Sequence, residues 1–415
     1  MINEGCFATL APVMKKPELI LPAGSPDKLR IAYQYGGDAC YVGFPPFSLR
    51  ARENKFDEES FREAFSFARE LGKKLYVTTN IFPHNSKIDA FEKHIKLLAE
   101  LKPDAIICAD PGVFSLIKEH YPDAKIHISV QANSVNYRDV MFWRDLGAAR
   151  VILPRELLIN EIREIHERVP EMELECFVHG AICVSYSGRC LVSNYLTMRD
   201  PNQGSCAQSC RWKYKVLEEA ERPGEYMPID EDEHGTYLFN AKDLCALPSL
   251  KELVEAGVTG FKVEGRSKTV YYLATVAKVY REAIDDMVAG RDFDEGLMET
   301  VMKTSNRSFT PGFLKKKFDE SAIFYKHNAP TSEYQFVGIV RGEKDGLYEV
   351  ELKNRIFKGC EIEIMTPDEE FMQKLEGIFD EEGESLDEAH GGHKNVFVRL
   401  EKEVPIGAIL RQKAK

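Results

Sequence analysis

No apolar run in this 415-residue chain approaches the roughly 18 residues that a membrane-spanning helix requires. The N-terminus, MINEGCFATLAPVMKKPELI, does not place a basic region ahead of an apolar one. It therefore reads as a frayed leader over residues 1–17 on a cytoplasmic protein, not as a signal peptide. Positive charge is in deficit as well: 55 Lys and Arg face 67 Asp and Glu, for a net charge of −12. A protein that coats polyanions without selectivity would be basic, so that class is disfavoured. No Gly-rich fingerprint follows the first predicted strand, which weighs against an open dinucleotide-binding sheet. Neither G-x-S-x-G nor H-E-x-x-H occurs, so the common serine-hydrolase and zinc-protease designs lack their anchors.

A strand–helix rhythm fills the chain from Glu18 to about residue 290. Short β-rich apolar runs occur at 18–24, 39–44, 74–80, 105–110, 125–131, 150–156, 173–179 and 260–265, and amphipathic stretches such as ESFREAFSFARELG separate most of them. Eight buried strands alternating with helices predict an α/β fold, a TIM-like (β/α)8 barrel over 18–330, with an open doubly wound sheet as the alternative. A long insertion at about 180–259 interrupts the rhythm between the seventh and eighth strands. In it KYKVLEEA and GTYLFNAKD are expected to pair as a hairpin, ahead of a helix near 247–256. Beyond residue 331 the pattern changes to short alternating strands (EYQFVGIVRG, GLYEVELKNR, CEIEIMTP, NVFVRLEK, GAILRQK), which predict a small C-terminal antiparallel β-barrel over 331–415. The acidic stretch 380–392 reads as a solvated loop.

Cys183, Cys190, Cys206 and Cys210 crowd the start of the insertion, spaced C-x6-C, C-x15-C and C-x3-C among Gly, Ser, Asn and Pro. These spacings are neither a C-x2-C zinc ribbon nor a ferredoxin run. In a reducing compartment four such thiols suit a soft metal or an iron–sulfur cluster better than a disulfide framework. Wide loops fit the corners of a cubane more easily than a tight zinc cage, and the sequence leaves both metals open. Cys40, Cys108 and Cys176 lie within strand-like runs and read as small buried hydrophobes, as does Cys360. Cys245 is the one alternative to Cys206 or Cys210 as a fourth ligand.

In a TIM-like barrel the active site sits at the C-terminal ends of the strands. Those ends carry Asn80, Asp110, Gln131, Arg155 with Glu156, His179, and Glu264 with Arg266, and the cysteine loop begins directly after the seventh strand. We take His179, Glu264 and Arg266 as candidate catalytic residues, and Asn80, Asp110, Gln131 and Arg155 as candidate substrate contacts. Rim solvation and helix capping are the competing explanation for part of this set. Residues 179–215 carry Arg189, Arg199, Arg211, Lys213 and Lys215 against Asp200 alone, a local excess of +4 on an acidic chain. There Arg211, Trp212 and Lys213 alternate cations with an aromatic ring, as a surface that stacks unpaired bases and holds phosphates would. A hydrolase built on His179 with Ser185, Ser187 or Cys183 is the weaker account, because three further cysteines crowd that thiol.

The stretch ECFVHGAICVSYSGRCLVS, from Glu175 to Ser193, closely resembles the signature of the collagenase-like peptidase family U32, E-x-F-x2-G-[SA]-x-C-x4–6-G-x-C-x-x-S, at every fixed position. The likeness extends from ELILPAGSPDKLRIAYQYGGDACYVG to FKVEGRSKTVYYLATVAKVYREAID, and the C-terminal region resembles the extra domain of longer members. The resemblance implies an RNA- or quinone-hydroxylating protein in which Cys183, Cys190, Cys206 and Cys210 hold a 4Fe–4S cluster. The segments RDPNQGSCAQSCRWKYK and PGEYMPIDEDEHGTYLFNAKDL are most similar to members that hydroxylate the wobble uridine of tRNA to 5-hydroxyuridine with prephenate as a required co-substrate. On that implication Arg211, Trp212 and Lys213 contact the anticodon loop, and Arg155, Glu264 and Arg266 grip prephenate or a similar small anion. The alternatives are a peptidase acting on collagen-like or unfolded chains, as the family name says, and a non-catalytic RNA-binding assembly factor.

Overall fold

The computed structural model describes residues 15–183, 185–212, 231–232, 235–236, 241–316, 332–393 and 396–414. Eight parallel strands form its centre: β1 (Glu18–Pro22), β2 (Ala39–Gly43), β3 (Lys74–Thr79), β4 (Ala105–Cys108), β5 (Ile126–Ile128), β6 (Arg150–Leu153), β7 (Glu173–Ala181) and β8 (Val258–Val263). Each pairs with the next, and β8 pairs with both β7 and β1, so the sheet closes on itself as the expected barrel.

Side-chain alternation along the strands sorts residues between two cores. Leu19, Leu21, Cys40, Val42, Leu75, Val77 and Ile106 face outward and pack with the surrounding helices. Their neighbours Ile20, Tyr41, Tyr76, Ala105, Ile107 and Ile152 face inward as a separate barrel core. Cys108 and Cys176 belong with Cys40 to the outer core, as their strand context predicts.

The inside of the barrel also holds charge. Glu175, fully buried, accepts from Lys262 at 2.6 Å and from Arg150 at 3.1 Å. Arg150 continues the chain to Glu18 at 2.7 Å and Glu173 at 2.6 Å. Burial opposes ionisation of Glu175, yet Lys262 and Arg150 hold its carboxyl below the usual carboxylate range. Each buried charge is thereby partnered, which is the condition for tolerating it in a low-dielectric interior.

The insertion after β7 returns to the barrel through Asp243–Cys245, which pairs antiparallel with the end of β7, and Phe309–Thr310 adds in parallel beside it. The helix expected near 247–256 is a 3-10 turn, Leu247–Ser249, followed by an α-helix, Leu250–Glu255. Residues 213–220, one arm of the expected hairpin, lie outside the described residues, and Gly235–Thr236 of the other arm pairs with Glu231–Asp232.

The C-terminal region is a seven-stranded antiparallel sheet with its own apolar core. Five of its strands fall on the five predicted runs. Glu370–Lys374 and Ile378–Phe379 are additional, and within the acidic 380–392 loop a short strand, Glu388–Ala389, pairs with Ile356–Phe357. This sheet is fastened to the barrel's outer helices. Arg341 forms a two-pronged pair with Asp27 at 2.6 and 2.9 Å, and the Tyr35 hydroxyl donates to the Met365 carbonyl at 2.9 Å. No helix among the described residues is long and apolar enough to cross a membrane.

Candidate active site

A cavity of about 410 Å³ opens at the C-terminal ends of the barrel strands, walled by the loops after β2, β5 and β6 and covered by the cysteine segment. Cys183, Cys190, Cys206 and Cys210 all line it, and among the described residues none of the four is joined in a disulfide. The protein packed around the Cys183 thiol raises its pKa, and Cys190 and Cys206 add to that through their proximity. The Ser185 backbone and Arg155 act in the opposite direction.

The fixed residues of the signature explain how the thiols reach this place. At Gly180 φ is +110°, and a Cβ there would meet the Glu264 carbonyl at 2.7 Å, so only glycine lets β7 and β8 approach at the mouth. At Gly188 φ is +72°, and a Cβ would stand 2.2 Å from the Gln131 carbonyl, so the loop between Cys183 and Cys190 lies directly on the loop after β5. The Glu156 carboxylate secures that loop by accepting from the Ser187 N–H at 3.0 Å. Buried Ser193 donates to the Arg199 carbonyl and accepts from the Ala207 N–H, both at 2.8 Å, which clasps the second cysteine pair against the first.

Among the described residues seven cationic ones (Arg50, Arg155, Arg199, Lys262, Arg266, Lys268 and Arg307) line the cavity against two carboxylates, Glu53 and Glu264. At its floor cations and rings alternate. Arg266 lies 5.7 Å from the Tyr41 ring and Lys262 4.4 Å from the same ring; Lys262 lies 5.8 Å from Phe177, and Arg155 stacks on Phe177 at 4.1 Å. The rings separate like charges and stabilise each through its quadrupole. Burial works against the charge on Arg155, and its Nε has no hydrogen-bond partner among the described residues. Arg266 donates to Ser48 Oγ at 3.2 Å, to Thr78 Oγ1 at 3.4 Å and to the Leu49 carbonyl at 2.5 Å. Glu264 sits 3.5 Å from Arg50; burial raises its carboxyl, but Arg50, Arg155 and Lys268 bring it below the ordinary value. The floor thus gathers Arg155, Lys262 and Arg266 around two aromatic rings.

Of the rim residues taken from the sequence, Asn80, Gln131, Arg155, Glu264 and Arg266 line this cavity. Asn80 acts there as a strut, accepting from the Leu49 N–H at 3.2 Å and donating to Ser129 Oγ at 3.1 Å. Asp110 and His179 are not among the lining residues. Asp110 caps the helix Pro111–His120, accepting from the Val113 N–H at 3.0 Å. His179 is fully buried on the outer side of the barrel among Tyr272, Tyr280 and Phe309. Burial pushes its pKa down to about 3, so it is a neutral core imidazole. A register shift between Lys262 and Val263 interrupts the β7–β8 ladder beside it, so the inward alternation of Glu175 and Phe177 does not continue to residue 179.

Cys245 lies away from the cavity, buried at 3.9 Å from both the Tyr280 hydroxyl and the Met298 sulfur, with burial pushing its thiol up to about 11. Trp212 is exposed beyond the 3-10 turn Ser209–Arg211, while Lys213 and the Arg211 side chain lie outside the described residues. Arg50 and Lys262 were not singled out from the sequence. The first sits in a loop with left-handed backbone (φ 59°), and the second is masked by its apolar strand neighbours.

Residues 24–323 match the model of peptidase family U32, and residues 332–411 match its C-terminal domain. The chain is 42% identical over 437 residues to the tRNA hydroxylation protein P of Escherichia coli K12, covering 96% of each chain. It is 37% identical to tRNA hydroxylation protein P1 of Bacillus subtilis, again over 96% of each. It is also 31% identical to the 23S rRNA 5-hydroxycytidine C2501 synthase of Escherichia coli K12, over 79% of this chain and 48% of that one. With both matched regions coinciding with the barrel and the antiparallel sheet, this chain belongs to peptidase family U32.

Proposed function

We propose that this protein is a tRNA-modifying hydroxylase whose four cavity thiols hold a 4Fe–4S cluster, and that its product is 5-hydroxyuridine at the wobble position. The observation that carries the reading is the convergence of Cys183, Cys190, Cys206 and Cys210 on one cation-rich cavity at the barrel mouth. The RNA-hydroxylating names of its full-length relatives support the substrate class.

The donor set fits the cluster. Thiolates are the ligands iron–sulfur clusters take, and the surrounding cations offset the negative charge of a thiolate–cluster assembly. The wide C-x6-C and C-x15-C spacings suit the corners of a cubane better than the tight C-x2-C pairs of a zinc cage. Held there, the cluster would supply electron transfer next to the substrate.

The remaining work falls to the chain's own residues. Arg155 and Arg266 bind the small anion, with prephenate as the proposed co-substrate, and Glu264 sets the spacing of Arg50 and Arg155. The peptidase alternative finds less support: among the described residues no histidine lines the cavity, and His179 packs instead among Tyr272, Tyr280 and Phe309.

Mass spectrometry of tRNA nucleosides from a deletion strain tests the reading. Loss of 5-hydroxyuridine, restored by the wild-type gene and not by Cys183→Ala, is the expected result. An unchanged nucleoside profile would refute it.

A further inference from the structure

Among the described residues fourteen large hydrophobic side chains stand exposed, and six of them fall within the 27 residues from Tyr186 to Trp212. They are Tyr186, Leu191, Tyr195, Leu196, Met198 and Trp212. Three of the four exposed aromatic rings among the described residues are in this set, with exposures of 65% for Tyr186, 86% for Tyr195 and 44% for Trp212. A concentration of that kind marks an interaction surface, because exposed apolar side chains are otherwise scattered singly. The segment is held to the barrel by Gly188 on Gln131, by the Ser187 N–H on the Glu156 carboxylate at 3.0 Å, and by Lys87, which donates to Gln203 Oε1 at 2.7 Å. The patch is therefore a fixed platform around the cavity, and Tyr186 itself lines the entrance.

Charge selects the occupant. Exposed Arg189 and half-buried Arg199 lie within the patch, and among the described residues six further cations line the cavity it surrounds, on a protein whose net charge is −12. Flat rings interleaved with guanidinium groups are the surface on which unpaired bases stack while phosphates are neutralised. A double helix cannot use it, since paired bases present no free faces. We infer that the cysteine segment is a stacking platform for single-stranded nucleotides that flank the target base, with Tyr186 at the entrance and Tyr195 farther out. It selects RNA loops over stems. This inference rests on the reading of the protein as a tRNA hydroxylase and assigns residues to its substrate contact.

Fluorescence anisotropy with an anticodon stem–loop, and with the same stem closed as a continuous duplex, tests it at fixed salt. Wild type is expected to prefer the stem–loop. Tyr195→Ala and Tyr186→Ala are each expected to weaken stem–loop binding by roughly 5- to 150-fold, the range for loss of one base–aromatic stack. Tyr195→Phe, which keeps the ring, should bind as wild type does, as should Phe142→Ala, an exposed aromatic outside the patch. If wild type binds the stem–loop and the alanine variants bind it equally well, the platform is refuted and the hydroxylase reading stands. If wild type binds neither RNA, both fail together. A change of oligomeric state in Tyr195→Ala, seen by light scattering with RNA affinity unaltered, would show the patch to be a contact between copies and overturn the inference.

Discussion

Lys262 and Glu175 meet at 2.6 Å inside the barrel, with the carboxylate fully buried and the ammonium roofed by the Tyr41 ring. The pair connects the charged interior below to the cation-rich floor above. Replacing Lys262 by Met leaves Glu175 with Arg150 alone and is expected to cost about 3–5 kcal/mol in stability, as loss of one member of a buried pair does. Urea denaturation of Lys262→Met and of the double variant Lys262→Met with Glu175→Leu checks this. The double variant should recover much of the loss, and a smaller effect from the single variant would mean water reaches the pair.

The thiol assignment separates by substitution. Cys183→Ser, Cys190→Ser, Cys206→Ser and Cys210→Ser should each reduce the iron bound by anaerobically purified protein and weaken its brown colour. Cys245→Ser should keep both, because that thiol packs against Tyr280 and Met298 outside the cavity. Iron and sulfide analysis reads the difference, and loss of iron from Cys245→Ser would exchange one ligand for another.

Gly188→Ala should disable the site without unfolding the barrel. The added methyl group would stand 2.2 Å from the Gln131 carbonyl at a backbone angle that L-residues rarely adopt. The cysteine loop must lift, so cluster content and hydroxylation are expected to fall together while the melting temperature changes little. An active Gly188→Ala protein would show that the loop's seat on Gln131 is dispensable.

Arg155→Met should raise the KM for the small anionic co-substrate by about 10- to 100-fold, the magnitude of a lost charge-assisted hydrogen bond. Its turnover at saturation should move less. Steady-state kinetics with the anion varied and tRNA fixed distinguishes the two, and an unchanged KM would remove Arg155 from the anion site.

Acid should destabilise the fold before its carboxylates titrate. Burial lowers His94 and His179 to about 3 from the ordinary 6.5, and moves His127 the same way. In that window the unfolded chain takes up protons that the folded chain refuses, so stability falls as pH falls. The slope is about 1.4 kcal/mol per pH unit for each histidine. Chemical denaturation across the acid range should show it, and His179→Phe should make the slope shallower by one histidine's share. A flat profile would mean these rings are protonated in the folded state.

Much of this architecture is legible in the linear chain. The eight barrel strands coincide with apolar runs because residues buried on both faces of a closed sheet leave few polar interruptions. Residue roles within the strands are harder to read. His179 sits two residues after inward Phe177, and simple alternation turns it into the cavity; the register shift against β8 turns it outward. Asp110 carries the mark of a helix cap, an acidic side chain before Pro-Gly, and strand-end position alone does not distinguish capping from catalysis. Lys262 resembles a solvated lysine in sequence, because its partner Glu175 lies 87 positions away. Glu370–Lys374 lacks the apolar alternation of its neighbours, since only one of its five residues is buried.

The alternation of Arg266, Tyr41, Lys262, Phe177 and Arg155 has an energetic corollary for ligand capture. Because the aromatic spacers already hold three like charges at short range, the protein meets the electrostatic cost of assembling them during folding. Under the proposed anion-binding role, an arriving anion would find its counter-charges in place, and its recognition would be governed by preorganisation. Widening either spacer to a flexible aliphatic side chain would transfer that cost to the moment of binding.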